Sequence, residues 1–115
     1  MELQKENHFL KGILENFIDL MHKEEYFEAH EVLEEAWHYL KRDKDPLANL
    51  TKGLINSAIA FEHLKRDKIN SLKNAKIVIR SFDRHVGLYN QNIREAKLFK
   101  IAIDIVHHKR DKMRA

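Results

Sequence analysis

Apolar residues recur at three- and four-residue steps through almost the whole chain. That spacing stacks side chains on one face of an α-helix. Leu10, Ile13, Leu14, Phe17, Ile18 and Met21 predict a helix over about 4–22. Ala29, Leu33, Ala36 and Leu40 are the inner stripe of a second, from Phe27 to Lys41. Asp45 reads as an N-cap, with Pro46 at the first helical position, where a missing N–H costs nothing. A third helix then runs from Pro46 to Lys65. Asn70 or Ser71 is expected to cap a fourth, with Leu72, Ala75, Val78, Ile79, Phe82 and Val86 inside and Gly87 as its stop. The fifth is expected from Asn92 to Lys109. Short connections favour antiparallel neighbours, so the expected fold is an all-α, compact single-domain bundle over residues 1–115.

Composition narrows the possibilities. With 115 residues there is room for one core and little more. Three Gly and one Pro supply too few turn residues for a sandwich or barrel. The absence of Cys excludes disulfides, thiol catalysis and Cys-based metal sites. No apolar run reaches the ~18 residues of a membrane span. The N-terminal stretch is polar and acidic where a signal peptide would be apolar, so a cytoplasmic location is expected. Charge divides unevenly. Residues 1–45 carry a net −6 and residues 46–115 a net +9. An acidic and a basic element packed side by side account for this without a nucleic-acid partner. The basic tail, about 109–115, is expected to fray.

The second helix carries the chemistry. Measured from Ala29 at ~100° per residue, Trp37 falls at about 80°, His30 at about 100° and Glu34 at about 140°. These three form a ridge along the edge of the core. Glu28, Glu31 and Glu35 point further out, onto what reads as a solvated face. A His and a carboxylate one turn apart can reach one substrate atom or ion. They also make an ordinary surface pair contributing a few tenths of a kcal/mol. On the third helix, GLINSAIAFEHL is apolar almost all round, which suggests burial on more than one side. Lys52, Asn56, Ile59 and His63 make a stripe roughly opposite Leu47, Leu50, Leu54, Ala58 and Phe61. Gly53 and Ala60 are small enough to admit another helix. Asn56 and His63 suit either a polar pocket shared with the His30 ridge, or a helix tie and a core histidine.

Phe27-Glu28-Ala29-His30-Glu31-Val32-Leu33-Glu34 with Trp37, then Lys52-Gly53-Leu54-Ile55-Asn56 and Ala58 to Leu64, resembles the small bacterial and archaeal domain-of-unknown-function family 309. The resemblance spans about residues 15–87 and implies a compact all-α fold. Members are often labelled predicted metal-dependent hydrolases, a label inferred from the His/Glu motif. The family's motif positions fall here on Glu28, His30, Glu31, Glu34, Trp37, Gly53, Asn56 and His63. Two departures stand out. Asn56 replaces the more usual Gln, which shortens its reach. The turn His22-Lys23-Glu24-Glu25 lacks the Gly or Asn often found there.

His30-Glu31-x-x-Glu34 is similar to the zincin H-E-x-x-H helix with Glu as the second ligand. On that reading His30, Glu34 and His63 would hold one divalent ion, Zn²⁺, Mn²⁺ or Fe²⁺. His30, Glu31 and Glu34 would be the catalytic groups, and Trp37, Lys52 and Asn56 would contact a small molecule. Glu31, however, turns about 100° from His30 and suits the helix dipole. A ferritin-like di-metal site is excluded, because Glu35-x-x-His38 is the one Glu-x-x-His pair and faces outward. No phosphate loop or nucleophilic triad is present. Two functions stay open: a small metal-dependent hydrolase, or a non-catalytic module whose polar pocket binds a ligand or fixes packing. On the last helix, Phe99, Ala102, Ile103 and Val106 face the core. Leu98, Ile101 and Ile105 form a second stripe that a homodimer would bury.

Overall fold

The computed structural model describes the backbone of residues 2–113 and the side chains of residues 9–111. The predicted periodicities become α1 (Glu2–His22), α2 (Tyr26–Arg42), α3 (Leu47–Arg66), α4 (Ser71–Val78), α5 (Arg80–His85), a 3₁₀ turn (Val86–Leu88) and α6 (Ala96–Met113). The described residues contain no strand. The fold is an all-α bundle built around α3, which packs against α2 on one side and against α4 and α5 on the other. α1 lies on α2, and α6 packs against α1 and reaches α3 and α5.

α3 is central because its residues allow it. Leu47, Leu50, Leu54, Ala58 and Phe61 are buried, and so are Thr51, Gly53, Ile55, Ser57 and Ala60 between them. Ser57 satisfies its buried hydroxyl by donating to the Leu54 carbonyl at 2.6 Å. A Cβ placed on Gly53 would stand 3.1 Å from the Phe82 Cα, so any side chain there would push α5 back by a few tenths of an ångström. The α2 stripe Ala29, Leu33, Ala36 and Leu40 is buried as its spacing predicts, joined by Tyr26. Asp45 does cap α3. Its Oδ1 accepts the Leu47 N–H at 2.9 Å, with Pro46 in helical geometry between them.

Four expectations change. The fourth helix is two, α4 and α5, separated at Ile79. There ψ closes to −11°, and the Ile79 carbonyl accepts from both Phe82 and Asp83, which tightens the turn and bends the chain toward α3. No side chain of Asn70 caps α4, because Asn70 is left-handed and the Ser71 hydroxyl instead accepts the Lys68 N–H. Gly87 stops nothing by itself. It sits inside the 3₁₀ turn, and the backbone becomes extended at Tyr89. The last helix begins at Ala96 rather than Asn92, after turns in which the Asn90 side chain accepts the Asn92 N–H.

The basic tail is helical as far as Met113, and its first residues are tied down. Lys109 donates to the Tyr26 hydroxyl at 2.9 Å, and Arg110 pairs with Asp83. That partner raises the Arg110 pKa above its ordinary value, chiefly through the hydrogen bond. Arg114 and Ala115 lie outside the described residues. The two oppositely charged parts of the chain meet directly in the Arg94–Asp45 ion pair. On α6, Phe99, Ala102, Ile103 and Val106 are buried. Leu98 and Ile105 are half-buried against the same chain's core, so of the second stripe Ile101 is the residue a second copy would cover.

Glu24 and Lys44 close α1 and α2 in left-handed geometry, with φ of 60° and 56°. The Glu25 and Asp45 N–H groups reach back to the Leu20 and Leu40 carbonyls, each at 2.9 Å. These are αL C-caps of the kind Gly normally supplies. The missing Gly or Asn of the 22–25 turn is therefore a conformational cost carried by Glu24. Glu24→Gly is expected to raise stability by about 0.5–1 kcal/mol, and Gly53→Val to lower it by about 1–3 kcal/mol by overpacking against Phe82. Urea denaturation checks both. A neutral Gly53→Val would mean that α3 and α5 are not in close contact.

Candidate functional site

α2 and α3 are antiparallel neighbours. Tyr26, at the start of α2, meets Phe61 near the end of α3, with ring centroids 5.7 Å apart. Trp37, near the end of α2, meets Lys52 near the start of α3, with the ammonium 4.4 Å from the indole centroid. These two contacts set the register. By that register Asn56 is level with residues 31–33 of α2, Ile59 with 28–30, and His63 with the start of α2.

His30 is 17% exposed in its side chain and Glu34 41%, with Nε2 and Oε1 3.8 Å apart. That is an ion-pair distance and too long for a direct hydrogen bond. The Phe27 ring meets His30 edge-on at 5.0 Å and shields it from one side. Trp37 is half-buried and contacted by two cations, Lys52 from α3 and Lys41 from its own helix at 4.7 Å. An ammonium over an indole is attracted by the ring's negative face. Lys52 thereby links the two helices at Trp37, one turn beyond Glu34 along α2.

The structure pairs His30 with Glu34 and Trp37 with Lys52, and the three α2 residues follow one another along that helix at the i, i+4, i+7 positions. Asn56 is half-buried on the same stripe of α3 as Lys52. Glu31 stands apart. It is exposed and forms no ion pair, as expected of a residue one step round the helix. His63 is half-buried, at the far end of the stripe. Among the described residues, no three His, Asp or Glu side chains are grouped so that they could hold a metal ion. His30, Glu34 and His63 are accordingly not grouped as three ligands among the described residues. Two residues belonging to the ridge were missed from the sequence: Phe27 and Lys41. Both signals were available, since Phe27 is three residues before His30 and Lys41 four after Trp37, the spacings at which helical neighbours touch.

The comparisons agree with the motif. The family described as Domain of unknown function (DUF309) matches residues 14–74, and the chain belongs to that family. The match covers all of α2 and α3 and hence the whole ridge. Neither the curated proteins nor the solved structures yield a match. No helix among the described residues is long and apolar enough to cross a membrane.

Two measurements follow from this geometry. His30→Ala is expected to cost about 0.5–1 kcal/mol, the loss of a half-exposed pair and one edge-on ring contact. Trp37→Ala is expected to cost about 2–3 kcal/mol, less than a fully buried aromatic. A reversal of that order in urea denaturation would make His30 a packing residue. Dialysis against a chelator is expected to leave the thermal midpoint unchanged, and micromolar Zn²⁺ or Mn²⁺ to add nothing to it. A metal that binds only the folded state would raise the midpoint. A rise that His30→Ala abolishes would restore the three-ligand site.

Proposed function

We propose that this protein is a binding module whose α2–α3 ridge takes a small polar ligand carrying an anionic group, without a resident metal. The observation that carries this reading is the Lys52 ammonium held over Trp37, on the helix that also carries the His30–Glu34 pair. Lys52 supplies a charge already partly desolvated by the indole, so an anion there meets less competition from water. Trp37 offers a stacking surface. Asn56 offers both a donor and an acceptor for the ligand's polar edge. Two Lys beside a Glu and a His favour a ligand of mixed polarity over a simple polyanion.

A second reading, hydrolysis, is favoured by the His30–Glu34 contact itself. A shift of less than ~1 Å converts 3.8 Å into a hydrogen bond, and catalytic hydrogen bonds often tighten only when substrate is bound. His30 would accept a proton from an attacking water, Glu34 would stabilise the imidazolium, and Lys52 would face the charge developing on the substrate oxygen. Binding at the ridge comes first in either case, and the hydrolytic reading adds only the proton transfer.

Trp37 is the chain's single tryptophan, so its emission reports on this ridge alone. Titration with phosphate, sulfate and acetate at constant ionic strength is expected to give a saturable change with at least one of them. Lys52→Met is expected to weaken that response about tenfold, the loss of one charge-assisted contact. No saturable change with any of the three, or an unaltered response in Lys52→Met, overturns the proposal.

A further inference from the structure

At the end of α2 opposite Trp37, a cleft of about 460 Å³ opens between the start of α2, the end of α3, the start of α4 and the last turns of α6. Tyr26 and Trp37 are eleven residues apart, about 16 Å along the helix axis, so this is not the ridge described above. The floor is apolar, made by Tyr26, Phe61, Leu64 and Leu72. Leu72 is the telling member. Its spacing places it with the inner residues of α4, yet it is 47% exposed, because the cleft leaves the space above it empty.

Two lysines line the same cleft. Lys65 donates to the backbone carbonyl of Glu24 at 2.8 Å. Lys109 donates to the Tyr26 hydroxyl at 2.9 Å, and its ammonium lies 5.2 Å from the Tyr26 ring centroid. Both partners are neutral oxygens, and neither lysine forms an ion pair. Each ammonium has three donors and spends one of them on these contacts. The bonds fix the two nitrogens at the wall without compensating their charge. Glu24 also lines the cleft with its carboxylate unpaired, and so opposes an anion from its own side.

Fixed, uncompensated cations at the rim of an apolar cleft fit a ligand with the complementary division. We propose that this cleft binds a monocarboxylate with an apolar body, an alkyl or aryl carboxylate. Its carboxylate lies against Lys65 and Lys109, and its hydrocarbon covers Phe61, Leu64 and Leu72. The volume falls within the roughly 300–1,000 Å³ of small-molecule sites. The apolar floor selects against free phosphate or sulfate, which would strip water from it without covering it.

The test is calorimetric titration of the full chain with sodium octanoate and with octan-1-ol, which keeps the chain length and removes the charge. Octanoate is expected to saturate below about 1 mM and to bind about tenfold more tightly than octanol. Lys65→Met and Lys109→Met are each expected to erase that preference while octanol binding persists. Glu24→Gln is expected to strengthen octanoate binding, and this exposed substitution decides the matter should a lysine variant fail to fold. Equal affinity for the two probes, no saturable octanoate binding below about 1 mM, or octanoate binding that none of the three substitutions alters overturns the proposal.

Discussion

The structure depends on how closely other helices can approach α3. A helix buried on two sides must present small residues somewhere, and here Gly53 lies against the backbone of Phe82, where a Cβ would fit only tightly. That contact brings α5 in, and the bend at Ile79 lets the chain follow it. With α4 and α5 seated on one face of α3, its other face is left to α2. The Lys52 stripe then lies at the margin of that second contact, half-buried along its length. The polar ridge is thus a by-product of packing: a stripe of α3 too polar to bury and too close to α2 to be fully solvated.

The ridge is held by few interactions, and they are weak ones. Lys52 over Trp37 joins the two helices, and His30 and Glu34 are one turn apart on the same helix. Neither contact is buried enough to contribute much to stability. The large side chains that hold α2 and α3 together, such as Leu33, Leu40, Leu50 and Leu54, lie on the other side of the stripe and are fully buried. Support and chemistry are therefore carried by different residues, and the ridge can change without unfolding the bundle.

Much of this is legible in the sequence, for identifiable reasons. The stripes of α1 and α2 are regular over about three turns, so periodicity alone places Phe17, Met21, Leu33 and Leu40 in the core. Asp45-Pro46 marks the start of α3 because capping and the fixed φ of proline are local effects. The break at Ile79 is not legible, since no Gly or Pro marks it and the apolar spacing continues through it. The αL geometry of Glu24 and Lys44 is likewise hidden, because both are residues that seldom adopt it. For the site, angles around a helix correctly place His30, Glu34 and Trp37 on one edge. They carry no information on the register between helices. That register is set by the Trp37–Lys52 and Tyr26–Phe61 contacts rather than by any pattern within one helix.

The central claim is that the α2–α3 register forms one polar ridge at Trp37, Lys52 and Asn56. Amide and side-chain NMR of the labelled chain during addition of the anion that perturbs Trp37 tests it most directly. The account predicts that the Trp37 indole N–H and the Asn56 side-chain amide shift together, with one common dissociation constant, while the buried amides of α5 and α6 stay in place. Shifts scattered over the exposed lysines and arginines, or an indole that moves while Asn56 does not, would contradict it.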